Sequence, residues 1–232
     1  MTRGSPIPIV ALDVPTMSDA RRVVDSLGPA ADFYKVGLQL YTREGPPVVE
    51  WLHHAGKRVF LDLKLHDIPN TVRGATASAA SLGVELLTVH AVGGEAMIRA
   101  AVDGAGVTTG ILAVTVLTSM SAADYAAALG VGAVSIEREV LRFAAVAATA
   151  GARGVVCSGS EVAQVVAQQG DGFGALVPGI RFAGGGSHDQ SRVVTPAEAR
   201  RLGATWVIVG RAVTADPDPR AAYARMVAEL AG

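Results

Sequence analysis

Eight short apolar runs, at 7–13, 33–37, 59–64, 86–90, 111–117, 154–158, 175–180 and 206–210, recur along the 232-residue chain. They are rich in Val, Ile and Leu and mostly lack polar alternation, the pattern of parallel strands covered on both faces. Between them lie Ala-rich, charge-dotted stretches with helical spacing, among them 18–27, 46–55, 70–82, 136–150, 161–168 and 196–202. Ser18 and Asn70 are expected to cap two of these helices, and Pro196, after Thr195, to open another. Gly56, Gly83, Gly151 and Gly203 follow four of the helical stretches, where a left-handed residue commonly ends a helix. This alternation predicts an α/β protein, a (β/α)8 TIM barrel forming one domain over residues 1–232. A doubly wound open sheet is the structural alternative, but it needs fewer strands, and no GxGxxG follows the first run. No composition shift or linker divides the chain.

Charge and hydropathy narrow the classes further. A formal net charge of -1 without long basic runs argues against an electrostatic nucleic-acid binder. The mean hydropathy is positive, which raises the question of a membrane. The uncharged stretch between Asp103 and Asp124 carries several Thr, Ser and Gly residues, and its solidly apolar part, 111–117, is too short to span a bilayer. The first six residues lead straight into a strand-like segment, with no signal-peptide apolar region. Cys157, the one cysteine, excludes an internal disulfide and reads as a small core residue in a reducing, cytoplasmic setting.

Against this apolar framework the segment Asp62-Leu-Lys-Leu-His-Asp-Ile-Pro-Asn-Thr71 stands out. Strand side chains alternate, so Asp62 and Lys64 share one face. Pro69 cannot continue a ladder, so the charges sit where the third strand finishes. That end of the strands holds the active site in such barrels. Asp13 ends the first run and Lys35 sits in the second; Thr118 follows the fifth, Arg181 the seventh, and Gly210 and Arg211 end the eighth. Lysine is rarely buried without a partner, which marks Lys35. A lone Asp at a strand end is more often a cap or turn former, so Asp13 or Asp67 alone would read as structural, whereas Asp62 together with Lys64 reads as functional. His66 is expected to cap or pack locally, His90 to be a rim histidine, and His53 and His54 to be solvated helix residues. No His/Cys/Asp cluster has metal-ligand spacing, so neither metal nor cofactor is expected. Arg181 is followed by a Gly-rich stretch, 182–188, read as a loop that closes over a ligand. Loops after strands 7 and 8 commonly hold a phosphate in these barrels: glycine lets backbone N–H groups approach the anion, and Arg211 offers a charged fork.

Between Ala11-Leu12-Asp13 and Gly210-Arg211 the chain resembles the orotidine 5′-monophosphate decarboxylase family. The most specific segment is residues 62–71, supported by Phe33-Tyr-Lys-Val-Gly37, Val116-Leu-Thr-Ser-Met120, and Pro178-Gly-Ile-Arg181 with Asp189-Gln190. The shorter Asp-x-Lys-x-x-Asp pattern is shared with sugar-phosphate decarboxylases and aldolases of the same superfamily. The Ile-Pro-Asn-Thr extension and the Gly-Ile-Arg…Asp-Gln region favour the nucleotide enzyme. The resemblance implies cofactor-independent decarboxylation of orotidine 5′-monophosphate to UMP and CO2, with Lys64 protonating C6 of the pyrimidine. It implies a charge network of Lys35, Asp62 and Lys64, completed by Asp67 of the partner subunit. Asp13 and Lys35 would hold the ribose hydroxyls, and Ile68 and Thr71 would reach a partner's site. Pro178 would line the substrate site, and Thr118, or else Ser121, would lie near the base. Arg181, Gln190, Gly210 and Arg211 would bind the phosphate, with Gln190 bridging to the base. A site shared in this way implies a homodimer. The rival enzyme is a divalent-metal-dependent sugar-phosphate decarboxylase or formaldehyde-fixing aldolase on the same barrel. A non-catalytic nucleotide-binding barrel is the second alternative, and the paired charges argue against it, because binding alone does not require them.

Overall fold

The computed structural model describes residues 4–184 and 193–232. Eight parallel strands close into a barrel in chain order. They are β1 (Ile7–Leu12), β2 (Phe33–Gly37), β3 (Arg58–Leu65), β4 (Leu86–His90), β5 (Gly110–Val114), β6 (Gly154–Val156), β7 (Gly174–Val177) and β8 (Trp206–Val209). Closure comes from β8 pairing back on β1, with Ile7 beside Trp206 and Val10 beside Val209. Around this lie α1 (Met17–Leu27), α2 (Leu38–Glu44), α3 (Pro47–His54), α4 (Pro69–Ser81), α5 (Gly94–Ala105), α6 (Ala122–Leu129), α7 (Ile136–Thr149), α8 (Val162–Gln169), α9 (Pro196–Leu202), α10 (Arg211–Thr214) and α11 (Pro219–Ala231). Each of the eight apolar runs overlaps a strand. The fifth, sixth and seventh strands stop short of their runs, because the chain beyond Val114, Val156 and Val177 leaves the sheet to build the rim.

Alternation along each strand sorts side chains into two cores. Ile9, Ala11, Phe33, Phe60, Leu86, Leu112, Leu176, Trp206 and Ile208 fill the barrel interior. Their neighbours, such as Val10, Tyr34, Val36, Leu61, Leu87 and Val207, face the helices. Both sets are buried, which is why the strands show so little polar alternation in sequence. At the floor the packing is unequal by necessity. A Cβ on Gly174 would lie 2.2 Å from the Trp206 ring, and one on Gly154 would lie 2.3 Å from the Gly174 carbonyl oxygen. The bare Gly174 makes room for the large indole, and the bare Gly154 lets the Gly174 backbone come close.

Helix ends follow the expected chemistry with two corrections. Thr16, not Ser18, caps α1, its hydroxyl accepting the Asp19 N–H at 3.1 Å. Helix α4 starts at Pro69, so Asn70 lies inside its first turn and does not cap it; a first-turn proline lacks only an N–H that would have had no helical partner. Thr195 caps α9 in a reciprocal box with Glu198. Gly56, Gly83, Gly151 and Gly203 have φ of 70, 78, 83 and 88°, the left-handed values that end a helix. His53 also departs from expectation: its Nε2 is buried without a hydrogen-bond partner, and its Nδ1 meets the Lys57 carbonyl at 3.2 Å, so it is not a solvated residue. Among the described residues no helix is long and apolar enough to cross a membrane.

Candidate active site

The C-terminal mouth of the barrel opens into two adjoining lobes. The first, of about 420 Å³, has an apolar floor that includes Phe60, Val156, Leu176 and Ile208, with Asp13, Lys35, Asp62 and Lys64 on its wall. The second, of about 340 Å³, is lined by Gly179, Arg181, Gly210, Arg211 and Thr214. Asp13 and Ile208 line both lobes, which join there.

The charged wall is an alternating chain. The Lys35 ammonium lies 2.6 Å from Asp13 Oδ1 and 3.7 Å from Asp62 Oδ2. The Lys64 ammonium donates to both Asp62 oxygens at 2.8 Å. Lys35 is buried (its side chain is 9% exposed), so its charge is tolerated because of these partners. Gly37 helps to seat it, since a Cβ there would lie 2.9 Å from Lys35 Nζ and 3.1 Å from Asp13 Oδ1. Burial pushes the Asp62 carboxyl upward, but the Lys35 and Lys64 ammoniums and the hydrogen bonds from Lys64 and Thr88 outweigh it and hold the group below the usual carboxylate range. Asp62 is therefore a carboxylate at neutral pH. His90 is pushed the other way for its class: burial first, then the His66 and Lys64 charges, lower its pKa, so it adds no cation to the wall. Its ring centroid lies 6.0 Å from that of His66.

Regular alternation does not describe how Asp62 and Lys64 come together. Leu61 pairs with Leu87 and Leu65 with Val89, so Asp62, Leu63 and Lys64 all stand against Thr88. Lys64 itself has φ 52°, the one non-glycine with positive φ among the described residues, a conformation that a side chain makes costly. The bulge sits beside the mouth, where such features re-aim side chains. Thr88 is the participant that the sequence reading missed. A threonine inside an apolar run looks like an ordinary strand former, and nothing local marks its hydroxyl as used.

The remaining anticipated residues fall into three groups. Thr118 and Pro178 line the first lobe, and Arg181, Gly210 and Arg211 line the second. Asp67, Ile68 and Thr71 are exposed and line neither lobe. Asp67 Oδ1 accepts the Ile68 N–H at 2.6 Å, and the Ile68 side chain is largely in solvent. Ser121 also stands outside both lobes; its hydroxyl caps α6, accepting from the Asp124 N–H and donating to the Asp124 carboxylate. Gln190 and most of the Gly-rich stretch 182–188 lie outside the described residues. Among the described residues no three His, Cys, Asp or Glu side chains are grouped to hold a metal ion.

Comparison with known proteins adds a family to this fold. The model of the orotidine 5′-phosphate decarboxylase / HUMPS family matches residues 6–226. Over 220 residues the chain is 52% identical to the orotidine 5′-phosphate decarboxylase of Anaeromyxobacter dehalogenans, covering 95% of this chain and 96% of that protein. It is 44% identical to the enzyme of the same name from Moorella thermoacetica, covering 96% and 91%. Among solved structures, the orotidine 5′-phosphate decarboxylase of Lactobacillus acidophilus superposes with a TM-score of 0.87 at 38% identity, over 98% of this chain and 100% of that one.

Proposed function

The chain belongs to the orotidine 5′-phosphate decarboxylase / HUMPS family, and from that premise we propose that this carboxy-lyase of pyrimidine biosynthesis works without a cofactor, with Lys64 as the proton donor to C6. The observation that carries the reading is the alternating chain Asp13–Lys35–Asp62–Lys64 on the wall of an apolar-floored lobe. The adjoining lobe with two arginines suits the phosphate of the same nucleotide.

Loss of CO2 from C6 of the pyrimidine leaves an sp2 carbanion whose lone pair lies in the ring plane, out of reach of the ring π system. Fixed charge has to stabilise it. The Lys64 ammonium attracts the developing carbanion and then transfers its proton to C6. Asp62, an anion at neutral pH, faces the departing carboxylate; two like charges about 4 Å apart at an effective dielectric near 20 repel by roughly 4 kcal/mol before screening. That stress acts on the ground state, and the larger share of the work falls to Lys64 in the transition state. Asp13 and Lys35 hold the ribose hydroxyls, and Thr118 and Pro178 bound the base. Arg181, Gly210 and Arg211, with Gln190, take the phosphate, whose binding energy is expressed in the rate.

Asp67, Ile68 and Thr71 are exposed beside the site, which suits a homodimer in which each protomer's lobe is completed by Asp67 of the partner subunit, with Ile68 and Thr71 reaching across too. The reading places the enzyme in the cytoplasm, with a nucleotide and a second copy of itself as its partners. An ultraviolet assay with orotidine 5′-monophosphate tests the chemistry directly. The parent is expected to turn over, unaffected by EDTA, and Lys64→Ala to lose roughly 10²- to 10⁴-fold or more in kcat while still binding UMP. Near-parent activity in that variant would remove Lys64 from its role.

A further inference from the structure

Thr88 stands in the middle of β4, fully buried and behind the charged wall, lining neither lobe. Its hydroxyl is engaged in both directions. It accepts the backbone N–H of Lys64 at 2.9 Å and donates to Asp62 Oδ1 at 2.9 Å. The first bond repairs the bulge, because at Lys64 the ladder has slipped and its N–H would otherwise be buried without a partner. The second bond follows from the first: with one lone pair taken by that N–H, the hydroxyl proton is directed at the carboxylate. Packing alone does not ask for this oxygen, since valine has almost the same shape and avoids the cost of burying a hydroxyl.

We propose that Thr88 is a positioning residue for the decarboxylation, a single hydroxyl that holds Lys64 in its left-handed conformation and fixes the Asp62 carboxylate against the Lys64 ammonium. Without it the bulge can relax, and the amine and carboxylate lose the shared geometry that two rigid neighbouring strands impose. The inference rests on the roles given above to Lys64 and Asp62. Thr88 touches no substrate; it acts through those two groups.

The test compares Thr88→Val, which keeps the shape and removes the hydroxyl, with Thr88→Ser, which keeps the hydroxyl and removes a methyl. For Thr88→Val, kcat for orotidine 5′-monophosphate is expected to fall roughly ten- to a hundredfold, the range for a lost hydrogen bond to a charged group, with KM within about threefold of the parent. For Thr88→Ser, kcat is expected to stay within about threefold of the parent, because the same bonds can form. Thr88→Ala, which adds no bulk, is read in the same way should the valine variant fail to fold. A valine or alanine variant with parental kcat overturns the proposal. So does a serine variant as impaired as the valine one, since the methyl and not the hydroxyl would then matter. A parent enzyme inactive on the nucleotide would instead overturn the reading of the site on which this rests.

Discussion

Arg181 and Arg211 line the same lobe but are held in different ways. Arg181 is 8% exposed and its Nη1 donates to the Ile180 carbonyl at 2.8 Å. Arg211 is exposed at the start of α10. An exposed guanidinium beside a glycine is suited to gripping an arriving anion with both arms. Arg211→Ala is expected to raise KM for orotidine 5′-monophosphate by roughly ten- to a hundredfold, the cost of a charge-assisted bond, and to affect phosphate-free orotidine far less. Equal losses on both compounds, measured side by side, would remove the phosphate role. At this scale the sequence was informative where charge was expensive. Asp62, Lys64 and Lys35 declared themselves because apolar strands do not hold carboxylates and ammoniums without a reason. Thr88 did not, because threonine is common in strands and its role depends on which residue of the next strand it meets.

Among the elements, α6 gives the sharpest discrimination. Ser121 and Asp124 form a reciprocal cap at its start, so the hydroxyl considered for the pyrimidine is already committed to backbone and carboxylate partners. Ser121→Ala is expected to destabilise the fold by about 1 kcal/mol, as loss of a serine cap does, with KM unchanged; thermal melting and steady-state kinetics read the two effects separately. A raised KM at unchanged stability would return Ser121 to the substrate site. All eight strands were legible because a strand buried on both faces needs an unbroken apolar run, and little else in the chain supplies one. Their ends and irregularities were not. The β3 bulge leaves no trace, since Leu61, Leu63 and Leu65 keep a regular spacing while the register beneath them slips. The caps of α1 and α4 were misplaced because Thr16 and Ser18, or Pro69 and Asn70, each carry a valid start signal within two residues of one another. Only the packed chain chooses between them.

For the whole molecule, the wall charges line a lobe of the chain while Asp67 of the same chain stands exposed outside both lobes. If a two-fold pair shares its sites, two individually dead variants can repair each other. Lys64→Ala mixed with Asp67→Asn, after dissociation and reassociation, is expected to regain activity that neither has alone, because a mixed pair rebuilds one site with both native groups. No recovery from mixed pairs shown to have formed would mean that each barrel works with its own residues.

The floor of the barrel has a consequence of its own. Trp206, seated on the bare backbone of Gly174, keeps the tube shut from beneath, while the charged wall of Asp13, Lys35, Asp62 and Lys64 sits at the opposite opening. Changes made at such separated ends tend to act independently. Laboratory evolution can therefore pursue heat resistance at the base and a new ligand preference at the top as two parallel campaigns, and then merge their winners in one gene.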